Sequence, residues 1–260
     1  MNLKFLGTGH AHVIRCYNTC FLLKEEREAF LTDTGGGNQI LQRLYDSETR
    51  IGDIRNLYIS HIHTDHILGA IWIIRLILSE RFESGDWLNV LGSEVVLTTL
   101  TKLCNMLIQQ KYLERMPERI QFDIIHPGDK RIILGKKVCF FDIAAQTTLQ
   151  YGYIMEYAEN RRFVFCGDEP FRRKGSGILE NADWAVLEAT DPYAKHPQMG
   201  HASLEESART AEEASVRNLV LTHTDDSEGP ERKRLYEKIA STYYNGNVFV
   251  PDDMDSFQLD

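Results

Sequence analysis

The feature that most constrains this chain is Ser60-His61-Ile62-His63-Thr64-Asp65-His66, which follows directly on the apolar run Leu57–Ser60. Four side chains able to bind a metal fall within six residues, at the end of a strand-like segment and the start of a helix-like one. A strand-to-helix turn can bring such side chains to one point. Neutral imidazole suits zinc, iron or manganese, and carboxylate suits harder ions. An accidental polar loop would have to gather three of the nine histidines and an aspartate at one strand end.

The rest of the pattern is that of a folded α/β protein. Short β-like runs occur at Leu3–Leu6, Cys20–Leu23 and Phe30–Thr32, followed by helical periodicity over His66–Ser79 and Ser93–Glu114 with a strand at Leu88–Leu91 between them. The second half repeats the style. Strands are predicted at Ile120–Ile125, Arg131–Leu134, Val138–Ile143, Gly152–Tyr157, Phe163–Cys166, Ala185–Glu188, Asn218–Leu221 and Val248–Val250, and helices at Ser203–Ala214 and Glu231–Thr242. Glu206 follows Ser203 at capping-box spacing. Strands outnumber simple β-α-β units, which argues against a doubly wound sheet. Two mixed sheets packed face to face with helices outside, a four-layer αββα sandwich, would bury both sheets. With no linker or low-complexity stretch, residues 1–260 are expected to form one domain.

Composition removes several function classes. The net charge of −9 disfavours long nucleic acid, whose binding rests on cationic contacts to phosphate. A local basic patch at Arg172, Arg173 and Lys174 could touch a phosphate, but it reads first as a solvated loop. The longest apolar run, Ile67–Leu78, is broken by Arg75, so no membrane span is expected. The N-terminus reads as a strand running into a Gly turn, not as a signal peptide. Cys16, Cys20, Cys104, Cys139 and Cys166 are scattered and odd in number, without a C-x-x-C pair. That points to a reducing, cytoplasmic setting. Monomer and homodimer are both open.

The H-x-H-x-D-H motif resembles that of the metallo-β-lactamase superfamily, and the likeness spans most of the chain. Leu6-Gly7-Thr8-Gly9 is similar to the family's opening turn, Phe30–Gly35 to its second motif, Phe165-Cys166-Gly167-Asp168 to its bridging-aspartate motif, and Leu219–His223 to its last histidine motif, all in the family's order. Gly200-His201-Ala202-Ser203 and Tyr151-Gly152-Tyr153 resemble the ribonuclease Z and phosphodiesterase branch. The resemblance implies one or two divalent ions, zinc first, with manganese or iron also suited. One ion would sit on His61 and His63 and the other on Asp65, His66 and His223, with Asp168 bridging. Asp33 would hold a ligand histidine by hydrogen bond. Asp65 would orient the attacking water, His201 would protonate the leaving group, and His12 or His10 in the first loop would meet substrate.

Two departures from the branch matter. The third motif should place a histidine six residues before Gly152, and that position is Gln146, a far poorer ligand. Gln146 is therefore read as a substrate-binding position, and the His61–His63 ion as the weaker one. Ribonuclease Z also carries a tRNA-gripping arm after this motif, whereas only fourteen residues separate Tyr153 from Asp168 here. The expectation is a metal-dependent hydrolase of a small or short phosphodiester. An ester, thioester or lactone hydrolase, or a degenerate metal-binding protein, is the alternative. A di-iron redox role is disfavoured because such members carry Glu where this chain has His63. His126 and His196, each preceding a proline, read as loop residues, and Asp252–Asp255 as a solvated acidic tail.

Overall fold

A computed structural model describes residues 1–79, 87–194 and 200–259, so His196 lies outside the described residues. In chain order the elements are β1 (Asn2–Gly7), β2 (Cys20–Glu25), β3 (Glu28–Thr32), α1 (Gln39–Asp46), β4 (Ile54–Tyr58), α2 (Thr64–Leu78), β5 (Leu88–Gly92), α3 (Glu94–Leu107), α4 (Gln110–Leu113), α5 (Met116–Arg119), β6 (Ile120–Ile124) and β7 (Lys130–Ile133). They continue with β8 (Lys136–Asp142), β9 (Tyr151–Ala158), β10 (Arg161–Phe165), β11 (Trp184–Glu188), α6 (Leu204–Glu213), β12 (Asn218–Thr222), α7 (Arg232–Ala240), β13 (Asn247–Phe249) and β14 (Ser256–Gln258).

Contacts divide the chain into two compact units. The first comprises residues 1–7, 18–125 and 254–260, and the second residues 8–17 and 126–253. The first unit holds a mixed seven-stranded sheet in the order β14-β1-β2-β3-β4-β5-β6. Its β1, β2 and β3 pair antiparallel and β3 to β6 pair parallel. Parallel neighbours need crossover connections, which α1, α2 and α3–α5 supply. The long apolar stretch of α2 is explained by burial. Ile67, Ala70, Ile73, Ile74, Ile77 and Leu78 are all within the core.

The second unit holds a mixed sheet in the order β13-β12-β11-β10-β9-β8-β7. Here β10 to β13 run parallel, and β11 and β12 are buried at every position. That accounts for their continuous apolar sequence rather than an alternating one. Leu204, Ala208 and Ala211 of α6 and Tyr236 and Ala240 of α7 pack into the same core as Leu187, Leu219 and Leu221. Ser203 caps α6, its hydroxyl accepting from the Glu206 backbone N–H as the spacing predicts.

Two sequence expectations are corrected. The predicted Ser93–Glu114 helix is broken: α3 ends at Leu107, Ile108 adopts extended backbone with its side chain buried, and α4 starts afresh at Gln110. The acidic segment Asp252–Asp255 is not a solvated tail. Asp253 accepts from the Tyr17 backbone N–H at 2.7 Å and the Thr8 hydroxyl at 3.0 Å, Asp252 pairs with Arg232, and the chain continues into β14. The basic residues Arg172, Arg173 and Lys174 are exposed and lie outside any helix or strand, as the solvated-loop reading has it, and they pair with Glu169, Asp142 and Glu213 in turn.

Candidate functional site

In the first unit the chemistry collects at the carboxyl ends of two parallel neighbours, β3 and β4, where ligands bind in open α/β sheets. Beyond β4, residues Ser60–His63 run to the start of α2, and His63 caps that helix with extended backbone. Asp65 then falls in the first turn, where a carboxylate is favoured by the helix dipole. His61, Asp65 and His66 are buried and His63 is exposed. The His61 ring lies 4.5 Å from that of His63 and 4.2 Å from that of His66, and His66 Nε2 is 3.3 Å from Asp65 Oδ2.

One carboxylate organises this cluster. Asp33, 1% exposed, accepts from His66 Nδ1 at 2.9 Å, from the Ser60 backbone N–H at 2.8 Å and from the Ser60 hydroxyl at 2.8 Å. Because the Ser60 proton is committed to Asp33, the 2.9 Å contact between Ser60 Oγ and His61 Nδ1 requires that ring nitrogen to be the donor. Both rings are thereby set with Nδ1 held by protein and Nε2 as the ligand side, the arrangement expected of metal-binding histidines. The close approach that places Asp33 on His66 depends on Gly69. A Cβ there would lie 2.1 Å from the Thr34 carbonyl oxygen, and the Gly69 N–H donates to Gly35 instead.

In the second unit the carboxyl ends of β10, β11 and β12 carry Asp168, the Glu188–Thr190 pair and His223. Asp168, Glu188 and His223 are buried, and His201 is half-buried. Ligand atoms of Asp168, His201 and His223 all lie within 4.8 Å of one another. His223 Nε2 is 3.5 Å from Asp168 Oδ2. Its Nδ1 meets Thr190 Oγ1 at 2.9 Å, and that hydroxyl is 2.8 Å from both Glu188 Oε2 and the His223 carbonyl. Only one hydroxyl proton exists, so Nδ1 again donates and Nε2 faces the ligand side.

His201 is held differently. Its Nδ1 donates to the Asp168 carbonyl at 2.8 Å and to Glu188 Oε2 at 3.0 Å. Burial acts to lower the His201 pKa, but the hydrogen bond and charge of Glu188, followed by the charge of Asp168, raise it to about 9. Burial pushes the Glu188 carboxyl up to about 7 against the opposing pull of His201. An imidazole kept in its protonated form suits a proton donor better than a ligand.

The first-loop histidines also belong to this unit. His10 is buried, its Nε2 3.2 Å from Asp225 Oδ2, and its Nδ1 accepts from the His12 backbone N–H. His12 is exposed and, with His10, Thr190, Tyr193, His201 and Asp225, lines a cavity of about 370 Å³. Gln146 is exposed. Its backbone N–H, not its amide, is anchored, donating to Glu169 Oε2 at 2.7 Å. Cys166 is buried, and burial drives its thiol far above the ordinary range, so its nearness to Asp168 confers no reactivity.

Sequence reading passed over Ser60, Glu188 and Thr190 as chemistry-bearing residues. Glu188 had a signal: it is the one charge in the otherwise apolar strand Trp184–Glu188, and a buried unpaired carboxylate is costly enough to imply partners. Ser60 and Thr190 had none, since a hydroxyl at a strand end is commonplace.

The donor chemistry therefore fits a divalent metal. Three imidazoles, His61, His66 and His223, have their Nδ1 side fixed, and carboxylates lie beside them. Two mixed sheets flanked by helices are the fold of the solved structures this chain resembles. They include the metallo-β-lactamase fold protein YhfI from Bacillus subtilis (TM-score 0.80, 18% identity, 99% of each chain covered) and the short form of human tRNase Z (TM-score 0.76, 19% identity, all of each chain covered). In sequence, ribonuclease Z from Pseudomonas putida is 26% identical over 315 residues, covering all of this chain and 97% of that protein. The αββα class predicted from sequence is thus the right one, and the protein is a metal-dependent hydrolase of the metallo-β-lactamase superfamily, of phosphodiesterase type. Within that class a family profile described as Anti-Pycsar protein Apyc1 matches residues 1–241, and the chain belongs to that family.

Proposed function

We propose that this hydrolase cleaves a small or short phosphodiester, using zinc held by His61, His63, Asp65, His66, Asp168 and His223. The observation that carries the small-substrate reading is the β9–β10 hairpin. Ala158 and Arg161 pair across a two-residue turn, Glu159-Asn160, which leaves no room there for the tRNA-gripping arm that the resemblance to ribonuclease Z would imply. The 370 Å³ cavity beside His201 is of small-molecule size, and the paired basic patch offers no cationic track for a polynucleotide.

A divalent ion of this kind supplies hydroxide at neutral pH by lowering the pKa of bound water to about 7. Asp65 orients the attacking water. Asp33 and Ser60 keep the His61 and His66 rings in the tautomer that ligates. His201, protonated through Glu188, hands a proton to the departing alkoxide. His12 and Gln146, both exposed, contact the substrate. The five cysteines are free thiols, in keeping with a cytoplasmic setting, and among the described residues no helix is long and apolar enough to cross a membrane.

The test is a substrate panel on protein whose metal content has been measured by elemental analysis. Bis-p-nitrophenyl phosphate should be turned over, with p-nitrophenyl esters and lactones at least tenfold slower. Faster turnover of the esters or lactones would replace the phosphodiester reading with the carbonyl one.

A further inference from the structure

The third-motif segment brings a glutamine to the candidate metal ligands, but not the one that spacing selects. Gln146 is exposed, whereas Gln150, four residues on, is 1% exposed, and its Oε1 accepts the backbone N–H of Asp168 at 3.2 Å. The fit is close. Gly167 has φ +72, and a Cβ on it would stand 2.8 Å from the same Oε1. The Gln150 carbonyl accepts from Ile143 N–H at 3.3 Å, tying the residue to the end of β8. The other half of the amide, Nε2, is buried without a hydrogen-bond partner among the described residues.

A buried amide with one end unsatisfied is costly, so a residue of this kind needs a reason to be amide rather than leucine. The reason is on the acceptor side. Without Oε1 the Asp168 N–H loses this acceptor, and the turn Cys166-Gly167-Asp168 loses a contact that sets the backbone of Asp168. A glutamate would keep the acceptor but place a second buried negative charge beside that carboxylate.

We propose that Gln150 is a positioning residue for Asp168: its amide oxygen fixes the backbone from which the carboxylate reaches the metal. The inference rests on the reading of Asp168 as a metal ligand. The experiment compares Gln150→Leu, Gln150→Glu and Asp168→Asn by zinc affinity in competition titration and by the visible spectrum of the cobalt(II)-substituted protein, alongside kcat and KM.

Loss of the acceptor in Gln150→Leu should weaken zinc binding roughly tenfold to a hundredfold, as other supports of ligand side chains do, and alter the cobalt spectrum. It should lower kcat with little change in KM. Gln150→Glu should keep a cobalt spectrum close to wild type, because it restores the acceptor. Wild-type zinc affinity and spectrum in Gln150→Leu, with both lost in Asp168→Asn, would overturn the role of Gln150. Undiminished zinc affinity in Asp168→Asn would instead sink the ligand reading beneath it. Should Gln150→Leu not fold, Gln150→Ala carries the same expectations.

Discussion

Each unit builds its donors around one buried carboxylate, and the two carboxylates do different work. In the first unit Asp33 takes His66 directly and His61 through the Ser60 hydroxyl, so both imidazoles are set for ligation. In the second, Glu188 takes His223 through the Thr190 hydroxyl but takes His201 directly. The hydroxyl relay is the same on both sides. The direct contact differs in consequence: against the lowering effect of burial, the hydrogen bond and charge of Glu188 raise the His201 pKa to about 9, which suits the proton donor proposed for it. On the proposed function, Asp33 would serve metal holding alone, while Glu188 would serve both metal holding and proton delivery.

Paired substitutions can break this comparison. The largest effect is expected from Glu188→Gln, which removes the charge that keeps His201 protonated while leaving an acceptor for Thr190. Turnover of a poor-leaving-group diester should fall by roughly 10²–10⁴, with zinc content retained, as elemental analysis would check. Asp33→Asn should behave in the opposite sense, losing zinc affinity by roughly tenfold to a hundredfold. Zinc depletion in Glu188→Gln, or full zinc binding in Asp33→Asn, would erase the distinction. Thr190→Val is intermediate: it severs the His223 relay but leaves the His201–Glu188 contact, so zinc affinity should fall by about tenfold without change in the leaving-group dependence of kcat. Gln146→Ala should have the smallest effect, a rise in KM of about threefold, since its side chain is exposed and only its backbone is anchored.

The contrast between the units also explains what could be read in advance. His61, His63, Asp65 and His66 are contiguous in the chain, so one strand-to-helix turn announces them. Asp168 and His223 stood out as candidates because each follows an apolar strand. Glu188 and Thr190 act through partners from other strand ends, and Ser60 through Asp33, far back in sequence, so no local pattern marks them. The order of strands and helices was legible from periodicity, while the break at Ile108 and the late strand Ser256–Gln258 were not. In the first case a buried isoleucine outweighs helical propensity. In the second, Asp252 and Asp253 have their charges taken up by Arg232 and by Thr8 and Tyr17, partners remote in sequence.

The most direct measurement is hydrolysis of bis-p-nitrophenyl phosphate before chelation, after removal of metal and after return of zinc, run beside His61→Ala. Turnover should be lost on chelation and return with zinc, and His61→Ala should be folded but inert. Persistent turnover in the metal-free protein, or wild-type rates in His61→Ala, would contradict that.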